Sequence, residues 1–164
     1  VKSPKKYKNM HPNEQLINRF YSAFQARDYQ TMQSCYAENA VFNDPVFKDL
    51  SSYRVKKMWE MFCVSGNATI VYQGVKADDI QGRANWIATY TFSKTGRKVI
   101  NNIWAEFTFE NGKIKRHHDT FNFYKWSSQA LGFTGKLLGW TSFLNKKVQQ
   151  NALKSLDAYI SKNL

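Results

Sequence analysis

With 164 residues, 43% hydrophobic and 16% aromatic, the chain is long enough for one domain with its own apolar core and needs no disulfide or metal staple. Lysine and arginine number 24 against 12 acidic residues, a formal charge of +12 that favours anionic partners through steering and says nothing about fold. Two cysteines, Cys35 and Cys63, are too few for a disulfide scaffold and read as reduced core residues. No apolar run of about 18 residues marks a membrane span, and the basic start VKSPKKYKNMHP lacks the h-region of an intact signal peptide, although a leader removed before residue 1 would leave no trace. A soluble, cytoplasmic protein is expected. Most of the charge sits in the flanks: residues 1–12 hold four Lys and no acid, and residues 127–164 hold five Lys and one Asp. A solvated basic terminus and the polar face of a helix explain this more simply than nucleic-acid binding, which is not expected.

Residues 1–12 read as a flexible basic start, His11 included. Leu16, Ile17, Phe20, Tyr21 and Phe24 then fall at helical spacing after Pro12, giving a first helix that ends near Arg27. Asp28 reads as the N-cap of a short second helix carrying Met32, Cys35 and Tyr36, in a region that ends at Asn39. A short strand, Ala40 to Asn43, stops at Asp44-Pro45, because proline lacks a ladder donor and restricts the residue before it. Ser51 or Ser52 caps a third helix with Val55, Met58, Trp59 and Phe62 on one face, and Gly66-Asn67 follows it.

The hydrophobic period then changes from 3.6 to 2. Ala68–Ala77, Ala84–Ser93, Lys98–Glu110 and Lys113–Tyr124 read as four antiparallel strands, with Asn111-Gly112 as a tight type I′ hairpin. After Tyr124 the pattern is helical again, broken by three glycines, and Leu144, Val148, Ala152, Leu156 and Ile160 repeat every fourth residue. Helices followed by strands indicate an α+β fold: one domain over 13–126 with a helical extension over 127–164 packed on it. That extension reads first as a lid or core extension. A partner interface or a membrane contact through Leu131, Phe133, Leu137, Leu138 and Trp140, with Lys136 and Lys146 nearby, is the secondary reading.

Three segments in register, NRFYSAFQARDYQTM, VFNDPVF and FTFENGKIKRHHDTFNFY, resemble the nuclear transport factor 2-like superfamily over about residues 13–124, in particular its ketosteroid isomerase and SnoaL-like polyketide cyclase branch. The resemblance implies a curved antiparallel sheet and three helices forming a cone around an apolar pocket, commonly assembled as a homodimer. It implies Asp44 at the position of the isomerase general base. It also implies that Phe20 stands where the oxyanion tyrosine belongs and Ala105 where the protonated aspartate belongs, so isomerisation of that type is not expected. From the GKI-x-x-H-x-D pattern of SnoaL-like cyclases, Asp119 is carried over as the pocket acid/base, with His117 beside it.

The residues themselves give the same candidates a physical basis. Strand alternation puts His117, Asp119 and Phe121 on one face, where a histidine and a carboxylate can share a proton. Asp44, among Phe42, Val46 and Phe47, loses solvation, which raises its pKa; alternatively it only makes an Asp-Pro turn. The resemblance further implies that the Asn101, Ile103, Ala105 and Phe107 face of the third long strand looks into the expected pocket, which Phe20 and Phe42 also line. No metal ligand set, phosphate loop or nucleophile elbow occurs, and no cofactor is expected. A limonene-type epoxide hydrolase needs an Asp–Arg–Asp arrangement; Asp119 supplies one member and no Arg-x-Asp partner accompanies it. The expected function is binding of a small apolar molecule, with cofactor-independent cyclase or isomerase chemistry. The alternative is a noncatalytic ligand-binding or protein-interaction module.

Overall fold

Pro12 opens the first helix of the computed structural model, which describes residues 10–164; the basic stretch 1–9 lies outside the described residues. Proline costs nothing there, because an N–H at that position has no partner within the helix. His11 is not part of a loose start: its side chain caps α1 (Pro12–Gln25) by accepting the Asn13 N–H. Asp28 caps α2 (Tyr29–Ser34) through the Thr31 N–H, as its spacing predicts. The second helix is shorter than expected. Tyr36 to Asn39 belong instead to strand β1 (Tyr36–Asn43), because the Ile114 N–H bonds the Cys35 carbonyl and draws this segment into the sheet.

A two-residue strand β2 (Leu50–Ser51) leads into α3 (Ser52–Ser65), and the meander follows as β3 (Thr69–Ala77), β4 (Gln81–Phe92), β5 (Arg97–Glu110) and β6 (Lys113–Thr120). Asn111 and Gly112 both take positive φ, the backbone a type I′ hairpin requires. The six strands form one curved, unclosed sheet in the order β2-β1-β6-β5-β4-β3. Every pairing is antiparallel except β1 with β6, where Phe42 stands beside His117. Along β5 burial alternates strictly from Val99 to Phe107, so Asn101, Ile103, Ala105 and Phe107 face the interior.

The last strand is also shorter than the alternation of HDTFNFY suggests. It stops at Thr120, and Asn122 accepts the Lys125 N–H to cap α4 (Phe123–Leu131). Beyond the end of β6 the edge of β5 is covered by α4 rather than by a strand: Gln129 accepts the Ile100 N–H at 2.9 Å and donates to the Ile100 carbonyl. A short α5 (Phe133–Leu138) and the long α6 (Ser142–Lys162) complete the chain. Leu156 of α6 is fully buried in the main core, and Arg54 and Glu60 of α3 bond Asp157 and Tyr159 of α6. Two free cysteines, Cys35 and Cys63, are buried.

Candidate functional site

The inner surface of the cone is crowded with rings. Phe20 and Tyr21 reach it from α1, Trp59 from α3, Phe42 from β1, Trp86 from β4 and Phe107 from β5, all buried. Among them stand two ionisable side chains, His117 and Asp119, on the inward face of β6, both buried. Register explains the pairing: successive inward residues of one strand lie side by side, and His117 Nε2 is 2.9 Å from Asp119 Oδ1. Across the sheet Asp119 stands beside Ala105, and Ala105 beside Ala84, so small side chains flank the carboxyl.

The other nitrogen of His117 extends the hydrogen-bond chain. Nδ1 is 2.6 Å from the Tyr36 hydroxyl, which also accepts the Trp59 indole N–H at 2.9 Å. With one acceptor site of that oxygen already used, the arrangement that satisfies every group has Tyr36 O–H donating to Nδ1 and His117 Nε2–H donating to Asp119. The result is a continuous relay from Trp59 through Tyr36 and His117 to Asp119. The Trp86 indole N–H reaches the same Oδ1 at a longer 3.5 Å, while Asp119 Oδ2 carries no hydrogen bond among the described residues. The ring of His117 is held edge-on or face-on by Phe20, Phe42, Trp59 and Phe107, with centroids 4.4–5.9 Å away.

Asp44 lies at the end of β1, and its Oδ1 accepts the Val46 and Phe47 N–H groups, the turn geometry its place before Pro45 suggests. The residue is only half-buried, yet loss of solvation around the carboxyl outweighs those hydrogen bonds and pushes its pKa up to about 7. The charge of Asp119 adds to that rise, and it also raises the pKa values of Tyr21 and Tyr36, in both cases behind burial as the main cause. The charge of Asp119 thus reaches Asp44, Tyr21 and Tyr36, as a smaller effect than their burial. Tyr21 is the anomaly. Its fully buried hydroxyl has no hydrogen-bond partner among the described residues, an arrangement that costs about 1–3 kcal/mol.

The remaining sequence candidates divide. Phe20, Phe42, Ile103, Ala105 and Phe107 pack in the core around the pair. Asn101 and Phe121 line a different feature, a cleft of about 430 Å³ between β5, the end of β6 and α4 that also takes in Trp104 and Lys125. Phe121 leaves the face of His117 and Asp119 because β6 has ended before it. A second cleft, of about 490 Å³, lies near Glu38 and Lys113, away from the pair. Sequence reasoning missed Tyr36 and Trp59, since the contact of Tyr36 with His117 spans 81 residues through a parallel strand pairing that no local pattern announces. Tyr21 had a signal in the aromatic pair Phe20-Tyr21, but it stands one helical step away from Phe20, the position that the resemblance aligns with the oxyanion tyrosine.

No curated protein matches the chain in sequence. Among solved structures it is similar to an epoxide hydrolase from M. tuberculosis of the LEH-like type (TM-score 0.59, 15% identity, covering 77% of this chain and 95% of that one). It is also similar to TerC co-crystallised with polyporic acid (TM-score 0.62, 16% identity, 74% and 99%). A third likeness is to a candidate polyketide cyclase from Xanthomonas campestris pv. campestris (TM-score 0.61, 16% identity, 73% and 96%). At these identities each likeness speaks to the fold alone. The family model of the SnoaL-like domain matches residues 17–117, from the first helix to the histidine of the buried pair, and the chain belongs to that family, within the nuclear transport factor 2-like superfamily.

Proposed function

We propose that the protein binds a small apolar carbonyl compound inside the cone and moves a proton on it without a cofactor. The observation that carries this reading is the Trp59–Tyr36–His117–Asp119 relay, a directed hydrogen-bond chain in an otherwise aromatic interior. Such a chain holds one oxygen of Asp119 with the His117 N–H and leaves Oδ2 to take a proton from carbon next to the carbonyl. The C–H electron pair then forms the enolate double bond and the carbonyl pair moves to oxygen, where the unpartnered Tyr21 hydroxyl is a donor in want of an acceptor. Asp44, near half protonation at neutral pH, returns a proton to the new position, after which Asp119 releases its proton to water and Asp44 takes one up, so both carboxyls return to their starting states. The similarity to TerC, co-crystallised with polyporic acid, and to a candidate polyketide cyclase supports polyketide-like ligands as the first class to try.

A second reading, a noncatalytic binding module, is favoured by Phe20 and Ala105, which supply no oxyanion donor, and by the dense packing around His117. Native mass spectrometry of the protein against a carbonyl library separates the two. Under the catalytic reading a bound compound is converted by the wild type, Asp119→Asn binds it unchanged without converting it, and Tyr21→Phe binds it at least tenfold more weakly. Tyr21→Phe also melts about 2–6 °C higher, because it deletes a buried hydroxyl with no partner. Binding without conversion in every variant makes the protein a carrier.

A further inference from the structure

The helices after β6 are built with their bulk outward. Gly135 of α5 lies directly on the Ser127 carbonyl of α4, and Gly139 on the Gly135 carbonyl and the Ser127 hydroxyl, so no Cβ fits at either position. With its inward side reduced to backbone, α5, with the turn after it and the start of α6, presents large side chains to solvent: Phe133 is 78% exposed, Leu137 57%, Trp140 77% and Phe143 68%. Single exposed apolar residues are ordinary, but four within eleven positions, backed by a glycine-tight scaffold, form a patch. The patch is braced. The Trp140 indole N–H donates to the Leu137 carbonyl at 3.0 Å, and the Tyr124 hydroxyl to the Lys136 carbonyl at 3.2 Å.

Charge identifies the occupant. From Thr120 to Leu156 the sequence holds five lysines and no acidic residue, and Lys125, Lys136, Lys146 and Lys147 are exposed in the same stretch of chain as the patch. A protein-binding patch is typically depleted in lysine, which is long, strongly hydrated and costly to immobilise. At the surface of an anionic bilayer the same residue is favoured, contributing about fivefold in affinity each, while Trp, Phe and Leu enter the boundary between headgroups and acyl chains. No helix of the described residues is long and apolar enough to cross a membrane, so the contact is a surface one.

We infer that the exposed apolar side chains from α5 to the first turn of α6, Phe133, Leu137, Trp140 and Phe143, together with the exposed lysines of the same stretch of chain, dock the protein on an anionic phospholipid surface. The test is co-sedimentation of the full chain with phosphatidylcholine vesicles with and without about 30% phosphatidylglycerol. Binding to the anionic vesicles should be at least tenfold tighter than to neutral ones. It should fall at least tenfold in the triple variant Phe133→Ser, Leu137→Ser, Trp140→Ser and in the triple variant Lys136→Glu, Lys146→Glu, Lys147→Glu. Brominated lipids in the same vesicles should quench wild-type tryptophan fluorescence, and Trp140→Phe should keep the binding while losing most of the quenching, a readout independent of how the triple variants fold. Absence of binding to anionic vesicles, or quenching that survives in Trp140→Phe, overturns the inference. So does a dimer that the apolar triple variant abolishes while vesicles are ignored, which would assign the face to a second copy of the chain.

Discussion

Asp44 binds its proton more tightly in the folded chain than in the unfolded one, and the sign of its pH dependence follows. Unfolded, it titrates near the ordinary aspartate value of about 4; folded, it titrates at about 7. Between those values the native state holds more protons than the unfolded state, so this group's contribution is fully present below about pH 4 and is lost as pH rises through 7. The total is on the order of a few kcal/mol. Asp44→Asn keeps an oxygen for the Val46 and Phe47 N–H groups, so the turn survives and only the titration goes. Urea denaturation at pH steps from 4.5 to 8 should therefore show a falling stability in the wild type that is flattened in the variant. If Asp44 returns the proton as proposed, turnover falls over the same range near pH 7. Much of this chemistry is legible in the sequence: alternation alone pairs His117 with Asp119, and the Asp-Pro dipeptide among apolar neighbours marks Asp44. The partners that orient the pair are not, because Tyr36 and Trp59 reach His117 only through tertiary packing.

At the scale of elements, local pattern is reliable wherever one face of a segment is buried by its own neighbours, as in α1, α3 and the β3–β6 meander. It errs at Tyr36–Asn39 and at Phe121–Tyr124. The first has helical spacing but is taken by a strand partner nearly 80 residues away; the second alternates like a strand but is turned by the Asn122 cap. In the first a backbone hydrogen bond from a distant strand, and in the second a helix cap within the segment itself, decides against the apparent periodicity. The extension shows the same competition between visible and decisive interactions. Arg54 and Asp157 form a 2.7 Å ion pair between α3 and α6, but both side chains are substantially exposed, at 34% and 57%, and such pairs contribute about 0–1 kcal/mol. Leu156, with no exposure, contributes more: Leu156→Ala leaves a cavity costing about 2–5 kcal/mol. Urea midpoints should move strongly for Leu156→Ala and hardly at all for Arg54→Ala; the reverse order would mean that α6 is held by charge rather than by packing.

At the scale of the whole molecule, most of the basic side chains among the described residues have no ion-pair partner. Among the described residues four lysines and arginines stand in ion pairs with carboxylates, Arg54, Lys56, Lys57 and Lys115. At +12 the compact state repels itself, and the repulsion reaches across the protein when salt is low, since the screening length is about 30 Å at 0.01 M and about 8 Å at 0.15 M. Raising salt between those limits should stabilise the fold by on the order of 1 kcal/mol, about 2–4 °C in Tm. The same screening weakens the attraction of the exposed lysines near the α5 patch in sequence to an anionic surface. One titration of salt thus drives two observables apart, with Tm rising and vesicle affinity falling. If Tm falls with salt instead, the few ion pairs outweigh the global repulsion. If vesicle affinity is insensitive to salt, the lysines in the same stretch of chain as the α5 patch contribute nothing to its docking and only the apolar side chains hold it.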